Sequence, residues 1–212
     1  MEHNPADPNW VDRDRFVLSK GHGGAGHAVV LAQRGYFDPA LLKDFNKMGS
    51  ALGMHLDSNK AVGVETSTGS MGHGLPQAVG LALGARVLQK SWRIYAVMGD
   101  GECDEGSIWE AAMAAHHYKL DNLIGFVDRN HMMIDGNTEQ IMSLDPLDEK
   151  WKAFGWEVRV VDGHNFEQLS EAIEFAQGFS GGPVMIVCET VKGKGVDFME
   201  NDPAWHYGGL SA

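Results

Sequence analysis

The sequence predicts an α/β protein whose parallel sheet is flanked by helices, and three observations lead there. From Ile94 onward, short apolar runs alternate with helical segments, the order that right-handed strand–helix–strand crossovers produce. Two of the runs, Ile94 to Met98 and Leu123 to Val127, read as buried strands. Each delivers a polar turn: Val97-Met98-Gly99-Asp100-Gly101-Glu102 closes the first, and Val127-Asp128-Arg129-Asn130 the second. In a parallel sheet both turns lie at the carboxyl edge, where open α/β folds bind ligands.

The first ninety residues are more helical and richer in glycine. Asp38-Pro39 reads as the N-cap and first-turn proline of a helix running through Lys47. Leu75 to Gln89, dense in Ala and Gly, reads as a helix lying close to a sheet. Glycines inside it cost helix stability, so they are expected to permit close approach. The later elements follow in order: strand 94–98, helix about 107–119, strand 123–128, helix about 146–154, strand 157–161, helix about 166–177 and strand 184–189. Gly155 is a fitting stop for the second of these helices, and Asn165 with Gln168 forms a capping box opening the third. No repeat, low-complexity stretch or linker interrupts the chain, so residues 1–212 are expected to form one domain.

Composition narrows the function. Hydrophobic residues at 43% and charged residues at 22% of 212 are ordinary for a soluble globular chain. No apolar run is long enough to span a bilayer, and the polar, proline-containing Met1 to Trp10 is no signal peptide. A cytoplasmic location, with no membrane partner, is therefore the default. A formal net charge of −12 argues against a nucleic-acid surface. It also means that an anionic ligand must be held by local devices: backbone N–H groups, histidines and a metal. Cys103 and Cys188 lie in separate segments and read as free thiols of a reducing compartment, with Cys103 a spectator beside the Gly-Asp-Gly turn.

At that turn the glycines let backbone approach a ligand closely, while Asp100 supplies a hard carboxylate oxygen and Asn130 an amide oxygen. With waters and two diphosphate oxygens they would suit octahedral Mg²⁺. A dinucleotide site is the rival, but no Gly-x-Gly-x-x-Gly opens a helix after the strand.

A family resemblance then emerges. Arg13-Asp14-Arg15-Phe16-Val17-Leu18-Ser19-Lys20-Gly21-His22 resembles the transketolase segment that brings a histidine to thiamine diphosphate. Gly63-Val64-Glu65-Thr66-Ser67-Thr68-Gly69-Ser70-Met71-Gly72-His73-Gly74 is similar to the next transketolase loop. Glu105-Gly106-Ser107-Ile108-Trp109-Glu110-Ala111-Ala112 continues the Gly-Asp-Gly segment in the same manner. Leu120-Asp121-Asn122-Leu123, Ile134-Asp135-Gly136, Val191-Lys192-Gly193-Lys194-Gly195-Val196 and Trp205-His206 fall in order behind them. The colinear match, from Arg13 to His206, covers nearly the whole chain.

The resemblance implies the thiamine diphosphate-binding fold of the diphosphate-binding (PP) domain. It implies Asp100 and Asn130 as side-chain ligands of Mg²⁺, or of Ca²⁺ as the other hard cation, with the Met132 carbonyl as a third ligand. Gly101 would give an N–H to the diphosphate, and Gly69, Met71, Gly99 and Glu102 complete the expected cofactor-binding set. His22 and His206 would lie over the diphosphate and the reacting carbon, and His55 would contact the sugar. Imidazoles suit such work because they donate hydrogen bonds and shuttle protons near neutral pH. Glu105 and Glu110 match carboxylates that face the partner chain and help hold its catalytic glutamate; charges favouring a helix N-terminus are the plainer reading. Lys192 and Lys194 read as solvated charges, and His3, His116, His117, His131 and His164 as surface or satisfied core residues.

The sequence departs from the family in three places. His73 stands where transketolases usually carry Gln, no Ser-Gly-His-Pro-Gly-Gly segment stands before Arg13 in these residues, and the Pyr and C-terminal domains are expected to lie on another chain. The expectation is the N-terminal subunit of a split transketolase that moves a two-carbon ketol unit between ketose and aldose phosphates. It would act only with a C-terminal subunit carrying the Pyr domain, in an α₂β₂ assembly with the helix Gly106 to Tyr118 at the interface. The rivals are another thiamine diphosphate-dependent lyase or transferase with a modified sugar phosphate as donor, and a non-catalytic cofactor-binding subunit.

Overall fold

A computed structural model describes residues 1–207. The elements, in chain order, are β1 (Arg15–Leu18), α1 (Gly24–Gln33), α2 (Gly74–Val87), β2 (Ile94–Gly99), α3 (Gly106–His117), β3 (Leu123–Arg129), β4 (Met132–Met133), β5 (Gly136–Asn137), α4 (Thr138–Ile141), α5 (Leu147–Ala153), β6 (Glu157–Asp162), α6 (Phe166–Gly178) and β7 (Val184–Glu189). Five strands form one sheet in the order β1-β2-β3-β7-β6, each pair parallel. β4 and β5 form a small antiparallel hairpin outside it.

The central strands are apolar on both faces because both faces are covered. On one face Ile94, Ala96 and Met98 of β2 pack with Ala78 and Ala82 of α2, Ile108 and Ala112 of α3, and Trp151 of α5. On the other, Tyr95, Ile124 and Ile186 pack with Ala172 and Ala176 of α6. Side chains alternate along a strand, so neighbours such as Ile94 and Tyr95 serve opposite layers. A third cluster, Ala28 and Leu31 of α1 with Leu52, Leu56 and Ala61, fixes the long loop that precedes α2.

The strand–helix alternation after Ile94 is as expected, as are the start of α6 and the end of α5. Asn165 Oδ1 accepts from the N–H groups of Glu167 and Gln168 at 3.0 and 3.2 Å, and Gly155 takes φ +82° behind α5. Other details differ. The Gln168 side chain accepts from the Asp162 N–H at 2.9 Å, so only half of the capping box forms. The helix expected through Lys47 is a 3₁₀ segment, Pro39–Asp44, opened by Asp38 accepting from the Ala40 N–H and ended by extended backbone at Phe45. In α2, close approach occurs only at the first residue. A Cβ on Gly74 would lie 2.3 Å from Ser19 Oγ, whereas Gly80 and Gly84 have nothing within 4 Å. Two elements lacked a sequence signal: β1 is four residues long, and α1 holds two glycines. No helix among the described residues is long and apolar enough to cross a membrane.

Candidate active site

The parallel sheet delivers four chain segments to one edge. Leu18 is in register with Val97, and Gly99, Asp128 and Cys188 are aligned across β2, β3 and β7. Ser19 to His22, the Asp100 turn, Asn130 and Thr190 to Lys192 therefore converge, as strand carboxyl ends do in open α/β sheets.

Asp100 is 1% exposed. Its Oδ1 accepts from the Gly101 N–H at 2.8 Å, and its Oδ2 from the His131 N–H at 2.7 Å, with Arg129 Nη1 3.4 Å away. Burial raises the pKa of this carboxyl, and those donors offset the rise in part. Asn130 Oδ1 accepts from the Met132 N–H at 3.0 Å, which places β4 directly beside the turn. Each of these oxygens has two acceptor sites, so Asp100 Oδ1 and Asn130 Oδ1 both retain one. A nearly buried carboxylate and an amide oxygen with free lone pairs fit a hard dication, which would also relieve the cost of the buried charge. Among the described residues no three His, Cys, Asp or Glu cluster as a protein-only cage. Such a cation would thus take further ligands from backbone, water or an anionic ligand. The Gly101 N–H, expected to face a diphosphate, is turned to Asp100, its nearest acceptor.

Around this acidic turn stands a basic rim. Lys20 pairs with Asp128, and the Thr190 hydroxyl donates to the same carboxylate. Burial pushes the Asp128 carboxyl up, but Lys20, Thr190 and the Asn130 amide more than offset it, and its pKa falls below the usual range. Lys192 Nζ lies 3.1 Å from His206 Nδ1, and the His206 and His22 rings are 5.3 Å apart between centroids. His22, open to the cleft on one side, has its pKa lowered to about 4 by desolvation first and then by Lys20, His206, Lys192 and His55. His206 is lowered in the same way, by burial and then by Lys192 and Lys20. Both rings are accordingly neutral at pH 7, able to donate from one nitrogen and accept at the other. Lys192 is not the solvated charge expected. Lys194 is, exposed and 3.6 Å from Glu200.

His55 joins this group through glycine. Added Cβ atoms on Gly21 and Gly69 would lie 2.9 and 3.0 Å from its Cδ2, so the backbone of both passes close against the ring. Gly69 has φ +139°, a conformation that L side chains rarely adopt. Met71 is exposed on the next turn of this loop. The loop itself is pinned to β1, because Glu65 pairs with Arg13 at 2.5 Å and Arg15 at 3.1 Å, and the Thr68 hydroxyl donates to the Leu18 carbonyl at 2.7 Å.

Glu102 is placed inward. Its Oε1 accepts from the Ser19 hydroxyl at 2.5 Å and the Gly72 N–H at 3.0 Å, and its Oε2 from the Gly99 N–H at 3.2 Å. The geometry thus gives its carboxylate a clasp role, tying the β1 end, the 63–74 loop and the metal turn together. Cys103 is buried, which pushes its thiol pKa well up and suits a spectator. Glu105 precedes α3 without a side-chain capping bond, and exposed Glu110 lies beyond the first turn, so neither serves as a cap. Trp109 Nε1 donates to the Cys103 carbonyl at 2.8 Å, and its ring packs on Trp151 and Phe154 at 5.0 and 4.9 Å. Met113 on the same helix is 54% exposed.

A cavity of about 860 Å³ opens beside the site. Lys20, Asp128, Asn130, Thr190 and Lys192 are among its polar lining, and Phe16, Leu18, Val30 and Leu31 among its apolar lining. That mixture and size suit a cofactor-sized ligand with an anionic head. Lys20, Asp128, Arg129, His131 and Lys192 are the members of the site that sequence reasoning passed over.

A parallel sheet whose carboxyl edge offers a buried Asp–Asn turn, two lysines and neutral imidazoles has the layout of a ligand-binding α/β domain. The family model for the transketolase thiamine diphosphate binding domain matches residues 1–212. The chain belongs to the transketolase N-terminal family. It is 48% identical over 206 residues to a 6-deoxy-6-sulfo-D-fructose transketolase subunit of Clostridium sp. (strain MSTE9), covering 97% of this chain and 75% of that one. It is 42% identical to an apulose-4-phosphate transketolase subunit of Actinobacillus succinogenes, covering 98% and 75%. The crystal structure of Campylobacter jejuni transketolase superposes with a TM-score of 0.91 at 32% identity, over 96% of this chain and 33% of that one. The chain therefore spans three quarters of these subunit relatives but only a third of the longer transketolase.

Proposed function

We propose that this chain is the N-terminal subunit of a split transketolase, dependent on thiamine diphosphate and Mg²⁺, that transfers a two-carbon ketol unit between sugars. The observation that carries the reading is the buried Asp100 turn at the sheet edge that also carries the His22–His206 pair, with Lys20, Lys192 and His55 around His22. Asp100, Asn130 and the Met132 carbonyl would hold the cation, Lys20 and Lys192 would offset the charge of the diphosphate, and neutral His22 would donate a hydrogen bond to it. When bound, thiamine diphosphate supplies the nucleophilic carbon and the electron sink that breaking a carbon–carbon bond requires. The protein's part is to orient and to move protons. His22 and His206, neutral at pH 7, donate to developing oxyanions and relay protons, and His55 holds a sugar hydroxyl. Glu105 and exposed Glu110 face a partner chain that carries the Pyr domain, in an α₂β₂ assembly. Two buried thiols fit a reducing compartment such as the cytoplasm.

The named relatives handle a sulfonated ketose and a branched sugar phosphate, and we place the donor of this chain among such anion-bearing modified ketoses. The test is reconstitution with a Pyr-domain chain, assayed on 6-deoxy-6-sulfofructose, apulose 4-phosphate and ordinary ketose phosphates. Ketol transfer that needs both chains and Mg²⁺, and that Asp100→Ala eliminates, is the expected result. Turnover by this chain alone, or full activity in Asp100→Ala, would contradict the proposal.

A further inference from the structure

Arg129 is the least expected member of the site. Its guanidinium, 1% exposed, sits at the carboxyl end of β3, one residue before Asn130. Nη1 lies 3.4 Å from Asp100 Oδ2 and donates to Thr138 Oγ1 at 3.0 Å, while Nη2 donates to Glu139 Oε1 at 2.8 Å and Asp145 Oδ1 at 2.9 Å. Glu139 extends the network, accepting from the Ser143 hydroxyl at 2.5 Å and the Leu144 and Asp145 N–H groups at 3.2 and 3.3 Å.

Other ties hold segment 131–145 at its two ends. His131 Nε2 lies 2.7 Å from Glu189 and the Met132 N–H reaches Asn130, while Leu144 is buried in the core and its carbonyl accepts from Lys150 at 2.6 Å. Arg129 is the side chain that joins the middle of the segment, at Thr138 and Glu139, to Asp100. The segment contains a two-residue hairpin, the one-turn α4, and the exposed apolar side chains Ile134, Ile141 and Met142. Yet it bears the His131 N–H that grips Asp100, and Met132. Its strand β4 also packs against the 3₁₀ turn Pro203–His206, which carries His206. One guanidinium thus ties the metal turn to the segment that supplies its neighbouring ligands.

We propose that Arg129 is a positioning residue. It locks segment 131–145 onto Asp100, so that the carboxylate, Asn130 and Met132 stand in place before cation and diphosphate arrive. Only arginine can do this, because its rigid fork reaches four acceptors on two sides, whereas lysine offers one mobile point charge. The inference rests on the metal site of the proposed function, and its test separates the two.

In the full chain, two readouts follow Arg129→Met, Arg129→Lys and the triple variant Arg129→Met/Glu139→Gln/Asp145→Asn. They are the Mg²⁺ dependence of thiamine diphosphate binding by calorimetry and the rate of proteolysis within 131–145 without ligand. The triple variant removes two of the three carboxylate charges that Arg129→Met leaves without their cation, and the third, Asp100, keeps its Gly101 and His131 N–H donors. It therefore restores folding where the single variant fails. The expected result is at least about tenfold weaker apparent Mg²⁺ affinity and about tenfold faster cleavage in Arg129→Met. Recovery should be partial in Arg129→Lys, and the triple variant should regain stability without regaining either readout. Wild-type affinity and protection in Arg129→Met, or recovery of both in the triple variant, would overturn the proposal by reducing Arg129 to charge neutralisation. Should the natural chain itself bind the cofactor without Mg²⁺, the metal reading fails, and cleavage alone decides the role of Arg129.

Discussion

His27 shows how one side chain makes this chain acid-sensitive. It stands on α1 with its ring against Phe16, 5.1 Å between centroids, and burial lowers its pKa from 6.5 to about 4. A histidine with a lowered folded-state pKa binds fewer protons folded than unfolded. Its contribution to stability is therefore complete above pH 6.5 and is lost as pH falls toward 4. His22 acts in the same direction. Urea unfolding at pH 7 and pH 5 should show a drop in midpoint that is smaller in His27→Gln; an identical drop would refute the assignment. At Asp100 the replacement Asp100→Asn keeps the shape and removes the charge, and cofactor affinity in Mg²⁺ should fall about 100-fold or more. Individual residues were legible where they stood in local patterns. Asp100, Asn130 and the glycines announced themselves by following apolar runs. Lys20 with Asp128 did not, since that pair joins positions 108 residues apart. Lys192 read as solvated because its burial depends on the chain returning to place His206 beside it.

At the scale of elements, the alternation after Ile94 was readable because strand runs, caps and stops are local signals. The amino-terminal part was not. β1 has only four residues, and its place at the sheet edge depends on pairing with β2, 79 residues on from Arg15 to Ile94. The glycines of α2 carried opposite meanings that the sequence could not separate. Gly74 touches Ser19, so Gly74→Ala would force apart β1 and α2 and strain the Ser19–Glu102 hydrogen bond. The expected cost is about 1–3 kcal/mol of stability, read from urea unfolding. Gly80 faces open space, and Gly80→Ala should stabilise the chain by about 0.5–1 kcal/mol through lost backbone freedom in the unfolded state. Equal effects of the two substitutions would contradict this account of α2 packing.

Over the whole molecule, a net charge of −12 coexists with a local cluster of two lysines, Lys20 and Lys192, beside His22. That contrast is what an acidic protein needs in order to hold an anionic cofactor at one place rather than over its surface. The sheet edge carries the Asp100 turn and the histidines, and the chain spans a third of the longer transketolase it superposes on. The proposed function predicts that turnover depends on a Pyr-domain subunit and that the two chains co-elute on size-exclusion chromatography with a mass matching α₂β₂. The most direct measurement is a calorimetric titration of thiamine diphosphate into the two-chain assembly, first with Mg²⁺ and then with EDTA, alongside Asp100→Ala. Saturable binding in Mg²⁺ that vanishes with EDTA and in the variant is the predicted result. Binding that ignores both the metal and Asp100, or no binding at all, would contradict it.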